Sequence, residues 1–600
     1  MNTLSSGIDL LRRLLTEFRA SRFLLALAAL VVVLPVFGAA PGTSPGLQGA
    51  TGYGGLIECL SVEGFADPTC DMVELPIGRL VTEASALVFP GAAVADLPGV
   101  DSITALRLVV GLWVIVGFAG TVFLVRVLGG GLLLGLGAAI ASAYASTIHS
   151  EAGHLFFLGV GSYLLPGALA LVIAALRRPA HSSWVQRVSF GVGVGLACCL
   201  LLAAHSGYVA VFFAFAAGLC GLTYWLLTRR REVFWSALSI GVGIAFALVV
   251  VGLAYAQEGI KGHEASIESA ESRSVPLAQT IFGQPGTSLE GDVWAWTYQI
   301  TRDRDGDVRF VRRVSFGLFL WGAAALGTLK GRDAFKPARI ALLVTCVAFV
   351  GVSLGPVLHW SSPFQDGLLL PWAGLFVDSP LTWTRAIWRF AYLPAVILPA
   401  LVFGGLRDIS DLGSVYRMLG VTAALIALLP SSLGLVWARV SSFDQYEAFV
   451  DDVVAVTTVD NSEVGILLPY RDPPAGGVTF VGPLLAAAWD LDLYNAATTR
   501  RSDLQRDLWP DEISRIVTSE RNAMGDPEIF VDTVVAAIRS DVVDTVLLGA
   551  FDWRWDMYSW PPGAADVEEW TSFWRPALAI LEARCEVAPS EYFWAVSLCD

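Results

Sequence analysis

Long apolar stretches recur along the first 440 residues of this chain, and they constrain its fold more than any other feature. Each is about 18–22 residues long, which is the length that a helix needs to cross the hydrocarbon core of a bilayer. Hydrophobic residues make up 55% of the 600 residues and charged residues only 16%, which is atypical of a soluble protein. The pattern predicts a polytopic α-helical membrane protein.

The charged residues divide the chain into two unlike parts. From Ser442 to Asp600 there are 28 acidic and 10 basic residues, a net charge of −18, whereas the preceding part has a net charge of +3. We therefore expect a cytoplasmic segment at 1–22, a transmembrane domain at 23–440 and an acidic, water-exposed domain at 441–600. An acidic domain lacks the basic face that nucleic-acid binding requires, so no nucleic-acid partner is expected.

Basic residues predict the orientation of the membrane helices. Four arginines (Arg12, Arg13, Arg19 and Arg22) precede the first apolar stretch, so the amino terminus should be cytoplasmic. The stretch VFGAAPG after that helix leaves signal-peptidase cleavage open, although a retained anchor fits the helix count better. Eleven spans are predicted, at 23–39, 106–125, 129–147, 155–176, 187–204, 207–227, 233–255, 314–329, 338–355, 386–405 and 418–437.

This count places every strongly basic short connector on the cytoplasmic side. The large loops 40–105, 256–313 and 356–385 and the carboxyl-terminal domain then lie on the outer face. We expect a multi-pass protein of the cell (inner or plasma) membrane whose chemistry is extracytoplasmic.

The eight cysteines form two groups. Four lie within apolar runs and are expected to pack as small hydrophobic side chains: Cys198, Cys199, Cys220 and Cys346. The others form two local pairs, Cys59 with Cys70 and Cys585 with Cys599. Both pairs fall on the outer, oxidising face, which favours two disulfides, with four free thiols as the alternative.

The first outer loop carries an acidic stretch between residues 58 and 76, ECLSVEGFADPTCDMVELP. A carboxylate at the membrane surface can remove the proton from an acceptor hydroxyl, or hold a divalent cation such as Mg²⁺ or Mn²⁺ beside a phosphate leaving group. The alternative for any single carboxylate is a solvated surface position. The sequence identifies no definite cofactor, and a divalent cation, Mg²⁺ or Mn²⁺, is the one candidate.

The segment 353–406 is rich in Pro, Gly and Trp and places Arg385 and Arg389 at the outer mouth of a predicted helix. Two arginines four residues apart share one helical face and can bind a phosphate near headgroup depth. Snorkelling toward lipid headgroups is the alternative.

Several histidines lie near the same predicted surface. The stretch HSEAGH contains His149, Glu151 and His154 at a helix start, where the spacing of the two histidines is poor for one metal ion. An interfacial cap is the favoured interpretation, and lining of a surface cleft is the alternative, with His359 as a further candidate.

The carboxyl-terminal part alternates between two periodicities. Strand-like runs lie at 464–469, 542–549 and 592–599, and helical patterns lie at 511–522, 527–540 and 566–584. Such alternation predicts a small extracytoplasmic α/β domain.

Taken together, these stretches resemble the GT-C superfamily of polytopic membrane glycosyltransferases. The likeness is carried by the acidic loop after the first helix, by HSEAGHLFFLGVGSYLLPGALAL and HSGYVAVFFA, by LGPVLHW…LPWAGLF…LTWTRAIWRFAYLPAVILPALVFGGL, and by the tail VVDTVLLGAFDW…YFWAVSLC. The resemblance covers most of the chain, but its motifs are of low specificity.

The resemblance implies transfer of a sugar from a polyprenyl-phosphate donor to a glycan, lipid or protein acceptor. It implies a catalytic base among Asp71, Glu74 and Glu58 and a donor-phosphate site at Arg385 and Arg389. A clear acidic doublet directly after the first helix is missing here, so a non-catalytic factor for assembly or export of cell-envelope polysaccharide is the alternative. A transporter or flippase fits less well, because charged residues are nearly absent from the helix centres.

Overall fold

The structure is a computed structural model. It describes residues 22–33, 53–63, 69–70, 79–80, 84–143, 157–177, 183–257, 274–283, 293–294, 316–330, 332–360, 367–373, 387–410, 422, 464–469, 491–494, 509–550, 564–590 and 592–599.

The transmembrane part is helical, with short strands between some of the helices. Its elements are α1 Arg22–Val33, α2 Gly54–Glu63, β1 Thr69–Cys70, β2 Arg79–Leu80, α3 Ser85–Ala95, α4 Ser102–Val127, α5 Leu132–Ala143, α6 Phe157–Leu176, α7 Trp184–His205, α8 Gly207–Thr228, α9 Arg231–Gln257, α10 Leu277–Phe282, α11 Leu318–Leu329, α12 Lys336–Ser353, β3 Val357–Leu358, β4 Leu368–Leu369, the 3₁₀ turn Ile387–Ala391 and α13 Tyr392–Ser410.

These helices confirm the predicted polytopic fold class. Within the described residues, seven helices are long and apolar enough to cross a membrane: α4, α6, α7, α8, α9, α12, and the 3₁₀ turn together with α13. Three further predicted spans coincide with the shorter helices α1, α5 and α11. The eleventh predicted span, 418–437, lies outside the described residues except for residue 422.

Two short connections follow from local chemistry. Ser206 alone separates α7 from α8, in an extended conformation (φ −167°, ψ 139°), and its side chain caps α8 by accepting from the Tyr208 N–H. Between α4 and α5, Gly129 has φ +93°, and a Cβ there would lie 2.8 Å from the Phe335 ring. Only glycine satisfies both conditions at that turn.

The helices pack closely where small residues face each other. At the crossing of α4 and α6, a Cβ on Gly120 would lie only 2.8 Å from the Gly167 Cα atom. The backbones can approach each other this closely because neither residue has a side chain, as is common between membrane helices.

Arg339 joins three helices at one side of the bundle. It is buried, and its guanidinium donates to the carbonyls of Leu128 (3.1 and 2.7 Å), Gly327 (2.9 Å) and Gly404 (2.7 Å). The last carbonyls of a helix lack intrahelical donors, and Arg339 supplies a donor to those of Leu128 and Gly327 at the ends of α4 and α11. Its bond to Gly404 adds a contact with the carboxyl-terminal half of α13.

Arg177 extends the same end of the bundle. It donates to the Ala334 carbonyl (3.0 Å) and to the Val127 carbonyl, and its guanidinium lies over the Phe335 ring. Three connectors that the sequence predicts to be cytoplasmic therefore meet at one end. The side of the membrane that this end faces stays a prediction.

The described residues of the predicted first outer loop include two helices, α2 and α3, where the sequence predicted only loop. Both are short, and α2 packs against α3 and α4. The described strands β1 and β2 pair antiparallel, with Thr69 opposite Leu80. The loop is therefore partly folded onto the membrane helices.

The carboxyl-terminal domain has the predicted α/β composition. Its elements are β5 Val464–Leu468, β6 Asp492–Leu493, α14 Asp511–Ser519, the 3₁₀ turn Glu520–Asn522, α15 Pro527–Arg539, β7 Thr545–Gly549, α16 Ala564–Leu581, β8 Cys585–Pro589 and β9 Phe593–Cys599. The strand order is β6-β5-β7-β9-β8, with β5 parallel to β6 and β7, and β9 antiparallel to β7 and β8. The sheet is therefore mixed.

The two faces of this sheet lie against different cores. On one face, Ile466 and Leu548 pack in a cluster with the domain's own helices, around the fully buried Trp574, whose indole donates to the Gly549 carbonyl (2.9 Å). Leu467 and Leu547 point the other way and belong to the same hydrophobic cluster as the membrane helices. Residues that alternate along β5 and β7 thus link the domain to the bundle.

The cysteines follow the predicted division. Cys585 and Cys599 form a disulfide (S–S 2.06 Å) that joins neighbouring strands. The four cysteines of the apolar runs are free and buried. Cys59 is disulfide-bonded, and the predicted Cys59–Cys70 pairing stays a prediction.

Candidate functional site

Arg389 lies in the 3₁₀ turn that opens α13, at the end of the bundle opposite to Arg339. It is half-buried, and its guanidinium lies 5.0 Å from the centroid of the Tyr208 ring and 5.6 Å from that of Trp388. Its Nε atom is buried and has no hydrogen-bond partner among the described residues. Within the described part of the chain, Arg389 makes no ion pair. It is a cation held by rings rather than by a carboxylate.

Buried aromatic residues fix the position of this turn. Phe390 packs against Phe212 of α8 (ring centroids 4.8 Å apart) and Phe349 of α12 (5.6 Å). Trp388 meets Tyr392 edge-on at 5.4 Å. Because its neighbours on both sides are buried, the backbone at Arg389 cannot shift far, and the rings of Tyr208 and Trp388 limit where its guanidinium can lie.

The first outer loop reaches the neighbourhood of Arg389 through the α7–α8 turn. The Ser85 hydroxyl of α3 donates to the Ala204 carbonyl (3.2 Å), at the end of α7. The Trp113 indole of α4 donates to the Ala86 carbonyl (2.9 Å). Tyr208, in the first turn of α8, lies under Arg389. The α7–α8 turn therefore contacts both parts of the predicted site, the first outer loop and the arginine segment.

Glu58 is the one predicted catalytic carboxylate whose surroundings the structure describes. It lies on α2, half-buried, next to the disulfide-bonded Cys59. Asp71 and Glu74 lie outside the described residues, as do Arg385, His149, Glu151 and His154. The role of these residues stays a prediction.

His359 is described and does not line an open surface. It is 3% exposed, and its carbonyl accepts from the Leu277 N–H (2.9 Å). A Cβ on Gly367 would lie 2.7 Å from its ring, so the imidazole fills the space between the two arms of the β3–β4 hairpin. The His359 ring therefore lies inside the β3–β4 hairpin.

Two residues near the site were not predicted from the sequence. Tyr208 supplies the ring under Arg389. His205 is fully buried beside Trp113 (ring centroids 4.9 Å apart), and neither of its ring nitrogens has a hydrogen-bond partner in the described part of the chain. The available signal was the tetrapeptide HSGY, in which polar residues interrupt an apolar run where one helix ends and the next begins. Its position beside Arg389 could be found only in three dimensions.

Among the described residues, no cluster of three His, Cys, Asp or Glu side chains is placed to hold a metal ion. The acidic residues that the sequence nominates for a divalent cation lie mostly outside that part of the chain. The donor set that is described, a guanidinium with aromatic rings, suits an anion and not a cation.

Comparisons with known proteins give structural neighbours only. No protein-family model and no curated protein matches the sequence. The arabinofuranosyltransferase AftD from Mycobacteria has a similar structure, with a TM-score of 0.54 and 15% identity, over 96% of this chain and 40% of that one. This chain thus spans less than half the length of the mycobacterial protein.

Two other neighbours have lower scores. The oligosaccharyltransferase AglB from Archaeoglobus fulgidus, in complex with an inhibitory peptide and a dolichol-phosphate, gives a TM-score of 0.49 at 12% identity, over 96% of this chain and 74% of that one. ArnT from Cupriavidus metallidurans, bound to undecaprenyl phosphate, gives a TM-score of 0.47 at 12% identity, over 96% of this chain and 97% of that one. Together with the helices and the sheet described above, the similarity to AftD shows that this chain shares the fold of that polytopic membrane protein.

Proposed function

We propose that this chain is an integral-membrane glycosyltransferase that moves a sugar from a polyprenyl-phosphate donor to a glycan, lipid or protein acceptor on the outer face of the membrane. The observation that carries the proposal is Arg389, a cation held by aromatic rings and without an ionic partner in the described structure. AglB and ArnT, two of the structural neighbours, were solved with polyprenyl phosphates, which agrees with a donor of this class.

In this reaction, a carboxylate of the first outer loop removes the proton from an acceptor hydroxyl. The hydroxyl oxygen attacks the anomeric carbon as the bond from that carbon to the donor phosphate breaks, and the configuration inverts. The electron pair of that bond leaves with the polyprenyl phosphate, whose added charge Arg389 stabilises. The candidates for the base are Asp71, Glu74 and Glu58.

The aromatic rings around Arg389 would contribute in two ways. They exclude water from one side of the guanidinium, which strengthens its attraction for a phosphate because the local dielectric constant is lower than in water. The rings of Tyr208 and Trp388 also attract the cation from their faces and hold it when the donor leaves.

The first experiment measures donor binding in nanodiscs by native mass spectrometry, with undecaprenyl phosphate as the probe and undecaprenol as the phosphate-free control. A charge-assisted hydrogen bond contributes about 1.5–3 kcal/mol, so we expect Arg389→Gln to weaken binding roughly 10- to 150-fold. The matched control is Arg230→Gln, which removes an exposed arginine at the predicted cytoplasmic end. Equal affinity for the phosphate and the alcohol in the wild type would refute the donor site.

A second experiment separates the enzyme from a non-catalytic assembly factor. The wild type is supplied with a panel of polyprenyl-phosphate monosaccharides and with cell-envelope extract as the source of acceptor hydroxyls, and release of polyprenyl phosphate is measured. Replacement of Asp71, Glu74 and Glu58 together by alanine should abolish release while undecaprenyl phosphate binding persists. Unchanged release in this triple variant would refute the proposed base.

A further inference from the structure

The β3–β4 hairpin lies at the predicted outer end of the bundle and exposes several of its apolar side chains. In β4, Leu368 is 67% and Leu369 62% exposed, and Trp360, which follows β3, is 46% exposed. Consecutive residues of a strand point to opposite faces, so both faces of β4 lack a cover. We call Trp360, Leu368 and Leu369 the hairpin patch.

The hairpin is an ordered element fixed to the bundle. Its strands pair with Leu358 opposite Leu368. The first N–H groups of α10, which have no partner inside the helix, donate to the carbonyls of His359 (2.9 Å) and Trp360 (2.9 Å). The described backbone around the patch therefore makes many of its hydrogen bonds internally, as a segment at the edge of the hydrocarbon region must.

The patch is continuous with the apolar surface of a membrane helix. Trp360 contacts Phe282 of α10 (ring centroids 6.3 Å apart), Phe282 contacts Trp294 (5.5 Å), and Trp294 contacts Phe319 of α11 (5.7 Å). Leu318, in the first turn of α11, is 45% exposed. Aromatic side chains concentrate at headgroup depth, where an apolar ring and a polar edge are both accommodated.

The hairpin is also joined to the arginine segment. Trp372, just after β4, donates from its indole to the Gly355 carbonyl (3.3 Å) and packs against Ile387, the first residue of the 3₁₀ turn that contains Arg389. A displacement of the hairpin would therefore be transmitted to Ile387.

From these observations we infer that the hairpin patch inserts into the lipid leaflet on the Arg389 side, at the boundary between headgroups and acyl chains. Lipid is the occupant because the patch continues a lipid-facing helix surface and is apolar on both faces. The insertion holds the 3₁₀ turn at headgroup depth. The positioning of Arg389 at the depth of a lipid-linked phosphate rests on the proposed function. The insertion of the hairpin patch does not depend on that function.

The test places a cysteine at Leu368 and labels it with the fluorophore NBD in proteoliposomes of the full chain. Two matched positions are labelled in the same way: Phe246 on α9 (62% exposed), which should face the acyl chains, and Met524 in the carboxyl-terminal domain (65% exposed), which should face water. The cysteines of the apolar runs are buried, and labelling of the wild type measures any background. Quenching is measured with phospholipids that carry a nitroxide near the headgroup or deep in the acyl chain.

We expect the label at 368 to be quenched more by the shallow nitroxide than by the deep one, the label at 246 to show the reverse order, and the label at 524 to be quenched by neither. A label at 368 that behaves like the one at 524 would overturn the insertion and assign the patch to water or to a protein partner. Combining Leu369→Glu with Trp360→Glu should reduce quenching at 368, with the melting temperature checked to exclude misfolding.

This readout needs no donor and no turnover, so the two proposals can be judged separately. If the wild type does not bind undecaprenyl phosphate but the label at 368 is quenched as expected, the proposed function is refuted and the insertion is supported. If the wild type binds undecaprenyl phosphate but the label at 368 is not quenched, the insertion is refuted and the proposed function is supported.

Discussion

Replacement of Arg339 by methionine should destabilise the bundle strongly. The substitution keeps an apolar stem of similar length but removes the donors for the carbonyls of Leu128, Gly327 and Gly404. Each buried carbonyl left without a donor costs about 1–3 kcal/mol. The carbonyls of Leu128 and Gly327 lie at helix ends and are left without a donor, whereas that of Gly404 lies within α13 and keeps its intrahelical partner. Removing the buried charge returns part of the cost, so we expect a net loss of about 2–4 kcal/mol.

Lysine at the same position should be intermediate. Its ammonium donates from a single point, whereas the guanidinium donates in a planar fork that reaches three separate helices. Such an ammonium can satisfy one or two of the carbonyls, so we expect Arg339→Lys to recover about 1–3 kcal/mol of the loss.

The assay is equilibrium unfolding of the purified protein in mixed micelles as the mole fraction of dodecyl sulfate rises. The control is Arg230→Met, which removes one positive charge from an exposed position at the same predicted side of the membrane. If Arg339→Met and Arg230→Met unfold at the same mole fraction, the guanidinium does not hold the three helices together, and the reasoning is wrong.

Three further predictions concern other parts of the fold. Gly120→Leu should lower the melting temperature, because the new side chain meets Gly167, whereas Gly218→Leu, where the structure has open space, should not. Trp574→Phe should cost about 1–3 kcal/mol in chemical unfolding of the full chain, since the buried Gly549 carbonyl loses its donor. Burial raises the pKa of the Asp101 carboxyl, but hydrogen bonds from Thr104 outweigh this effect and lower the pKa overall. The ionised carboxylate therefore stabilises the fold at a pH above the ordinary pKa of aspartate, and this stabilisation is lost as the pH falls through the lowered pKa. Asp101→Asn should therefore narrow the difference in melting temperature between pH 7 and pH 3, and an unchanged difference would contradict this.

Much of the secondary structure could be predicted from the sequence, because its physical signals are local. A run of about 20 apolar residues must satisfy its backbone internally in a membrane, which leaves a helix as the economical solution. The regions predicted as strands and helices in the carboxyl-terminal domain coincide with β5, β7, β9, α14, α15 and α16. The short strands β6 and β8 and the loop helices α2 and α3 were missed, since their local patterns are weak.

The sequence by itself determined that this chain is a membrane bundle with an acidic α/β domain, because chain-wide hydropathy and charge decide which segments leave water. Only the tertiary structure decided what individual residues do. Arg339 belonged to a basic connector, and only the meeting of α4, α11 and α13 turned it into a buried donor to three carbonyls. Arg389 was predicted as a site residue from its charge, but its contact with the ring of Tyr208 depends on a helix that is distant in sequence. Contacts between remote segments leave no periodic signal in the chain, since each depends on how whole helices pack against one another.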